Sequence, residues 1–362
     1  MKVGIDARHL VGKKRGIGYY IKNFVKYMLK EVKEIEFFLF AHEEIKLDFY
    51  DERLKIFKLK FPFYSQFFSP FWLNFYLPLY SKKIDIFHCP NFFCPFFSKN
   101  KIVITVHDLA PIKFPEFYPK IYSIYFKNFL IPSIKKANAI ITPTNTIKKE
   151  VEDFFPFSKG KVFCVYHGIE EIFKPAYKKD ENLKYILYVG ALIKRKNIIG
   201  ILKTFYILKE KYKIPHYLLL IGKKENHSKE IEEEILNHPY RNFIIEKGYV
   251  EDEELIKIYQ NADVFLFPSF YEGFGLPVLE AMKCGVPVVV SKNETFMEIT
   301  KGEAVFVNPF DYEEIAYNVY KVLTDENLKK NLIKKGLAVS SLYKWEKAVN
   351  EIYKIYKFVL NF

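Results

Sequence analysis

The chain has 362 residues, half of them apolar, which is enough to build two hydrophobic cores, and it carries a formal net charge of +13. That composition excludes a disordered chain, and four cysteines with no CxxC pair exclude a disulfide framework and read as reduced, mostly buried thiols of a cytoplasmic protein. Residues 1–170 hold 27 Lys+Arg against 16 Asp+Glu and 25 of the 37 Phe, so the first half fits an anionic membrane surface ahead of a merely lysine-rich solvated face, and nucleic acid least.

In chain order, Met1–Asp6 reads as a strand, not a signal peptide. Six further strands are predicted in the first half, at Glu36–Ala41, Lys55–Lys60, Asp85–His88, Lys101–His107, Ala139–Thr142 and Val162–His167. Between them lies Phe61–Tyr80, a charge-free run about as long as a membrane span. Pro62, Pro70 and Pro78 break it, which favours a buried or interfacial segment of helix and loop. A polar interruption near Gly168–Leu183, including Lys178-Lys179-Asp180-Glu181-Asn182, marks a domain seam. The second half predicts strands at Tyr185–Gly190, Tyr217–Gly222, Asn242–Lys247, Asp263–Pro268, Val286–Ser291 and Ala304–Asn308. Ile198–Lys211 carries a helical period, and Trp345–Phe362 is one amphipathic helix with Trp345, Val349, Ile352, Ile355 and Tyr356 on its apolar face. Many strands are continuous apolar runs, as parallel strands covered on both faces should be. The expectation is α/β, with two Rossmann-like doubly wound domains: 1–172, 173–342, and a C-terminal helix at 343–362.

The richest segment is Glu272-Gly273-Phe274-Gly275-Leu276-Pro277-Val278-Leu279-Glu280. It follows a strand and runs into a helix, with Pro277 at the first helical position and Gly285 as a left-handed cap. A glycine turn at a helix N-terminus presents backbone N–H groups to a phosphate. Glu280, one turn into the helix, can accept from ribose hydroxyls, and Glu272 can contact a sugar. The same segment would also serve as a plain start to a structural helix. Arg195 and Lys196 sit between a strand end and the Ile198 helix, as a diphosphate clamp or as a solvated basic turn. Gly16-Ile17-Gly18 is a glycine turn before a helix carrying Ile17, Ile21, Phe24, Val25 and Met28, and could bring backbone to a phosphate or simply turn. His107 ends an apolar strand, placed for either a structural or a functional role; His88 deserves less weight. Asp252-Glu253-Glu254 reads as an N-cap and first turn. There is no P-loop, no Asp-x-Asp and no His/Cys metal spacing, so no metal and no cofactor is expected.

The run Glu272–Ser291, with Val189-Gly190-Ala191-Leu192, Arg195-Lys196-Asn197, Gly4–Arg8, Gly16–Gly18 and Thr105–Leu109, resembles the family 4 glycosyltransferases and their Glu-x7-Glu signature over nearly the whole chain. The resemblance implies the GT-B fold, two Rossmann-like domains with the C-terminal helix crossing back onto the first. It implies retaining transfer of a hexosyl group, mannosyl first, from a nucleotide-diphospho sugar such as GDP-mannose or a UDP-sugar. The acceptor would be a glycan or lipid-linked molecule of cell-surface polysaccharide or glycolipid biosynthesis, handled by a cytoplasmic protein peripheral on the inner face of the plasma membrane. By the same resemblance Arg195 and Lys196 hold the diphosphate, and Glu272 with Gly273, Phe274, Gly275 and Leu276 holds the sugar. Glu280 binds the ribose, and His107 contacts the sugar near Gly16. Ala191 stands where some members carry Arg, which throws weight onto Arg195. The alternatives are a sugar-nucleotide epimerase, a phosphorylase, and a non-catalytic sugar-nucleotide-binding protein.

Overall fold

The structure, a computed structural model, describes residues 1–12, 16–60, 71–80, 83–176, 183–224 and 229–361. The chain divides into two compact units, Met1–Gly168 with Lys344–Phe362, and Ile169–Tyr343. The polar run Lys178–Asn182, and Lys13-Lys14-Arg15 ahead of the first helix, lie outside the described residues.

In the first unit the strands are β1 (Lys2–Asp6), β2 (Glu36–Ala41), β3 (Leu54–Lys58), β4 (Ile86–Cys89), β5 (Lys101–Thr105), β6 (Ala139–Thr142) and β7 (Val162–Cys164). They form one parallel sheet in the order β3-β2-β1-β4-β5-β6-β7. Ile5 pairs with Leu39 on one side and His88 on the other, so the order reverses at β1 and β4. The Gly16–Glu31 helix and the C-terminal Trp345–Leu360 helix join one core with Val3, Ile5, Phe37 and Leu39. Phe24, Met28, Val349 and Tyr356 are wholly buried there, so the apolar stripe read from the sequence of the last helix belongs to the first unit. Gly168 lets that helix start where it does, because a Cβ at this position would lie 2.3 Å from the Trp345 nitrogen. His88 ties the helix down: its Nδ1 is 2.7 Å from the Tyr356 hydroxyl and its Nε2 2.8 Å from the Thr105 hydroxyl. This is a structural histidine.

Of the charge-free run Phe61–Tyr80, the first ten residues lie outside the described set. The rest is a π turn at Trp72–Tyr76 followed by a 3₁₀ turn at Leu77–Leu79. Trp72 is buried, donates to the Leu59 carbonyl and lies under the Arg8 guanidinium, while Phe71, Phe75 and Leu79 face outward. No helix among the described residues is long and apolar enough to cross a membrane.

The second unit holds β8 (Tyr185–Val189), β9 (Tyr217–Ile221), β10 (Ile244–Lys247), β11 (Val264–Phe267), β12 (Val288–Ser291) and β13 (Val305–Val307). Their parallel order is β10-β9-β8-β11-β12-β13, with the reversal at β8 and β11. Among the described residues each of the thirteen strands overlaps a segment expected to be one; several are shorter, β3 starts one residue earlier at Leu54, and β4 runs one residue further to Cys89. β11 stops before Pro268 and β12 starts after Pro287, because proline has no N–H to give the ladder. Two helix starts also differ by one residue from expectation. The Asp252–Asn261 helix has its cap position at Glu251, so Asp252, Glu253 and Glu254 all stand in the first turn, where the helix dipole favours them. The Leu276–Lys283 helix starts with Leu276, which makes Pro277 the second helical residue. All four cysteines are free; Cys89, Cys94 and Cys284 are buried and Cys164 is partly so.

Candidate active site

In open α/β sheets ligands bind beyond the carboxyl ends of the strands where the order reverses. In the second unit that position collects Arg195, Lys196, Ser269 and Glu272. After β8 the chain makes a 3₁₀ turn at Lys194–Lys196 and then a left-handed residue, Asn197, with φ 58°. The Asn197 side chain caps the next helix by accepting from the Gly200 N–H at 3.2 Å. Its amide donates to the carbonyls of Pro268, at 3.1 Å, and Pro309, at 2.8 Å. This buried asparagine therefore fixes the basic turn against the segment that follows β11.

Across that join, the Lys196 ammonium donates to Glu272 Oε1, and the Arg195 Nη1 lies 3.6 Å from Oε2. Ser269 donates to the same Oε1 at 2.6 Å, and Arg195 also donates to the Tyr271 carbonyl. Ser291, the last residue of β12, donates to the Ser269 carbonyl, and Thr295 donates to the Glu272 carbonyl. The Glu272, Arg195 and Lys196 side chains are 8%, 12% and 13% exposed. Burial alone would raise the Glu272 pKa. The charges of Lys196 and Arg195 and the hydrogen bonds from Lys196 and Ser269 outweigh it and hold the group below the usual carboxylate range. The arrangement is a buried anion flanked by two cations, a combination able to receive a polar, negatively charged ligand without leaving Glu272 unpaired.

Gly273, Phe274 and Gly275 carry the chain from Glu272 into the Leu276–Lys283 helix, and all three are buried while Leu276 is half-buried. Gly275 has φ 98°, and a Cβ there would lie 2.8 Å from the Phe296 ring, so conformation and space both demand glycine. Glu280, one turn further, accepts from the Tyr259 hydroxyl at 2.9 Å. Burial pushes its pKa up to about 7.

The other two expected residues lie in the first unit. His107 follows β5, and its Nε2 donates to the Pro90 carbonyl at 2.8 Å, which leaves Nδ1 as the acceptor nitrogen. Its ring meets those of Tyr20, Phe92 and His167. Burial brings its pKa down to about 4. Gly16 is the exposed first residue of its helix, and Tyr20, one turn on, packs edge-on against His107. The second unit therefore brings Arg195, Lys196 and Glu272 into direct contact, while Glu280 has a partner of its own. Sequence reasoning missed Ser269, Tyr259 and Asn197 as the residues that hold them. Only Asn197 carried a signal, as an asparagine directly before a helical run.

Comparison with known proteins agrees across both units. Residues 14–171 match the family described as glycosyltransferase family 4, and residues 169–339 the one described as glycosyl transferases group 1. Sucrose-phosphate synthase from Thermosynechococcus elongatus superposes with a TM-score of 0.82 at 17% identity, covering 99% of both chains. The Anabaena protein HepE, solved with UDP and glucose, superposes at 0.74 and 14% identity, covering 98% of both chains. These likenesses establish the class, a glycosyltransferase of GT-B fold. O-antigen chain mannosyltransferase B of Escherichia coli is 29% identical over 282 residues, 75% of this chain and 74% of that one. The chain belongs to the family 4 glycosyltransferases.

Proposed function

We propose that the enzyme moves a hexosyl group, mannosyl in the first instance, from a nucleotide-diphospho sugar to a glycan or lipid-linked acceptor, with retention of configuration and without a metal. The observation that carries this reading is the contact of Lys196 and Arg195 with Glu272 beside the glycine turn into the Leu276–Lys283 helix. Lys196 and Arg195 would set their positive charge beside the diphosphate, and the first helical turn would add its N–H groups and dipole. Glu272, with Gly273, Phe274, Gly275 and Leu276, would hold the sugar, and Glu280 the ribose. His107, neutral at physiological pH, would accept from a sugar hydroxyl near Gly16 through Nδ1.

In the reaction the acceptor oxygen forms its bond to the anomeric carbon on the face from which the diphosphate departs. The bond from that carbon to the phosphate oxygen breaks, and the acceptor proton passes to a diphosphate oxygen. Glu272 is not the nucleophile in this scheme, because Lys196, Ser269 and Arg195 engage its oxygens. Cations placed where charge develops are the term worth most to such a step, and losing one donor costs about 10²–10³ in rate.

GDP-mannose is the first donor to try, since the curated Escherichia coli relative is named a mannosyltransferase; UDP-sugars come next. A membrane-borne acceptor fits the first unit, where the outward-facing Phe75 ring packs against both Phe71 and Phe97, which are exposed as well. The test is sugar transfer by wild type, Lys196→Ala and Glu272→Ala. Transfer that survives in both variants sinks the site assignment.

A further inference from the structure

We propose that Tyr259 is a positioning residue of the nucleotide site: its hydroxyl holds Oε2 of Glu280 and so presents Oε1 to the ribose. The inference rests on the reading of Glu280 as the ribose-binding carboxylate and adds to it the group that aims and ionises that carboxylate.

Tyr259 lies on the Asp252–Asn261 helix and Glu280 on the Leu276–Lys283 helix, so the bond joins two helices of one unit. The tyrosine is wholly buried. Phe173 meets its ring edge-on with centroids 5.9 Å apart, and Phe265 packs against it at 5.8 Å. A ring packed between two others holds its hydroxyl oxygen in place, and that oxygen lies 2.9 Å from Glu280 Oε2. Glu280 is half-buried, so part of it faces outward while Oε2 is held. A carboxylate pinned through one oxygen has little rotamer freedom left to lose when a ligand arrives, which is how preorganisation strengthens binding.

The surroundings give this bond a second effect. Burial disfavours the charged form of Glu280. The titratable groups whose charge acts on it are Asp252 on the tyrosine's helix, Glu170 on the segment that enters the unit, and the thiol of Cys284, the residue that closes its own helix. The two acidic ones push the same way as burial. Tyr259 is the group that acts against them, by donating to the ionised form. A ribose hydroxyl donates more strongly to a carboxylate than to a carboxylic acid. The ribose contribution to binding should therefore fade as pH falls through the Glu280 pKa of about 7.

The experiment is calorimetric titration of GDP and of UDP, each beside its 2′,3′-dideoxy counterpart, from pH 5.5 to 9. The ratio of the two affinities isolates the ribose hydroxyls, since the diphosphate titrates alike in both ligands. For wild type the ratio should be roughly tenfold or more above pH 8 and fall toward one below pH 6. In Tyr259→Phe the midpoint of that fall should move up by about one pH unit, and the ratio above it should stay below the wild-type value, because the carboxylate is ionised there but no longer aimed. In Glu280→Gln the ratio should be small and independent of pH. A ratio of one in wild type at every pH overturns the ribose reading itself. A ratio that titrates in wild type but keeps its midpoint in Tyr259→Phe overturns the role of Tyr259 and leaves Glu280 standing.

Discussion

Replacing Lys196 by methionine keeps a flexible side chain of similar length and removes the ammonium, which lies over the Phe267 ring. Glu272 is then left with Ser269 and with a guanidinium 3.6 Å away. Removing one partner of a buried ion pair costs about 3–5 kcal/mol, because the other charge stays buried without full compensation. Arg195 still offsets part of that here, so the lower end applies, about 3 kcal/mol. For a unit of the size of Ile169–Tyr343 this lowers the melting temperature by about 6–12 °C at neutral pH. The sign of the pH dependence follows from the depressed Glu272 pKa. The stabilisation is present above the ordinary carboxylate value of 4.5 and is lost as pH falls through the lower folded value. The gap between wild type and variant should therefore narrow in acid. Adding Glu272→Gln to Lys196→Met should recover most of the loss, since a neutral amide needs no cation. Differential scanning calorimetry of the three proteins at pH 7.5 and at pH 4 reads all of this. A Lys196→Met protein that melts within about 1 °C of wild type at pH 7.5, or a second substitution that restores nothing, refutes the argument.

Three other outcomes are expected. Gly275→Ala, strained at φ 98° and pressed against Phe296, should destabilise by about 2 kcal/mol or more, read as a lower denaturant midpoint with an unchanged slope. The first unit should be acid-labile between about pH 6.5 and 3, the window set by His107 at about 4 and His88 at about 3 against an unfolded value of 6.5. Their stabilising contribution is present above 6.5 and is lost as pH falls, so His88→Phe should flatten the acid limb of a stability profile. Co-sedimentation with phosphatidylglycerol vesicles should occur at low salt, weaken at high salt, and weaken further in Phe75→Ser, whereas equal pelleting with neutral vesicles would count against a basic, aromatic docking face.

Much of the fold was legible because parallel strands buried on both faces are apolar along their whole length. Val288-Val289-Val290 and Leu218-Leu219-Leu220 can hardly be anything else in a chain of alternating helices. Strand ends were less legible, since a ladder stops where the neighbouring strand stops or where proline withholds a donor, and only the second is written locally. The site divided along the same line. The Glu272–Glu280 run carries its own spacing, glycines and proline, and Arg195 with Lys196 announces itself at a strand end. Ser269 on Glu272, Tyr259 on Glu280 and Asn197 on Pro309 are pairings across the fold between residue types that are common everywhere. His88 shows the reverse failing. A histidine near a strand end invites a functional reading, and only its partner Tyr356, at the far end of the chain, reveals that it anchors a helix.

The central claim is that Arg195, Lys196 and Glu272 form the donor site, and thermal shift against a panel of nucleotide-diphospho sugars tests it most directly. A donor present at a hundredfold its dissociation constant stabilises by about 2.7 kcal/mol, which moves the melting temperature by several degrees. One sugar nucleotide, GDP-mannose first, should produce that shift in wild type and lose it in Lys196→Met. No shift with any member of the panel, or a shift of equal size in Lys196→Met, would contradict the account.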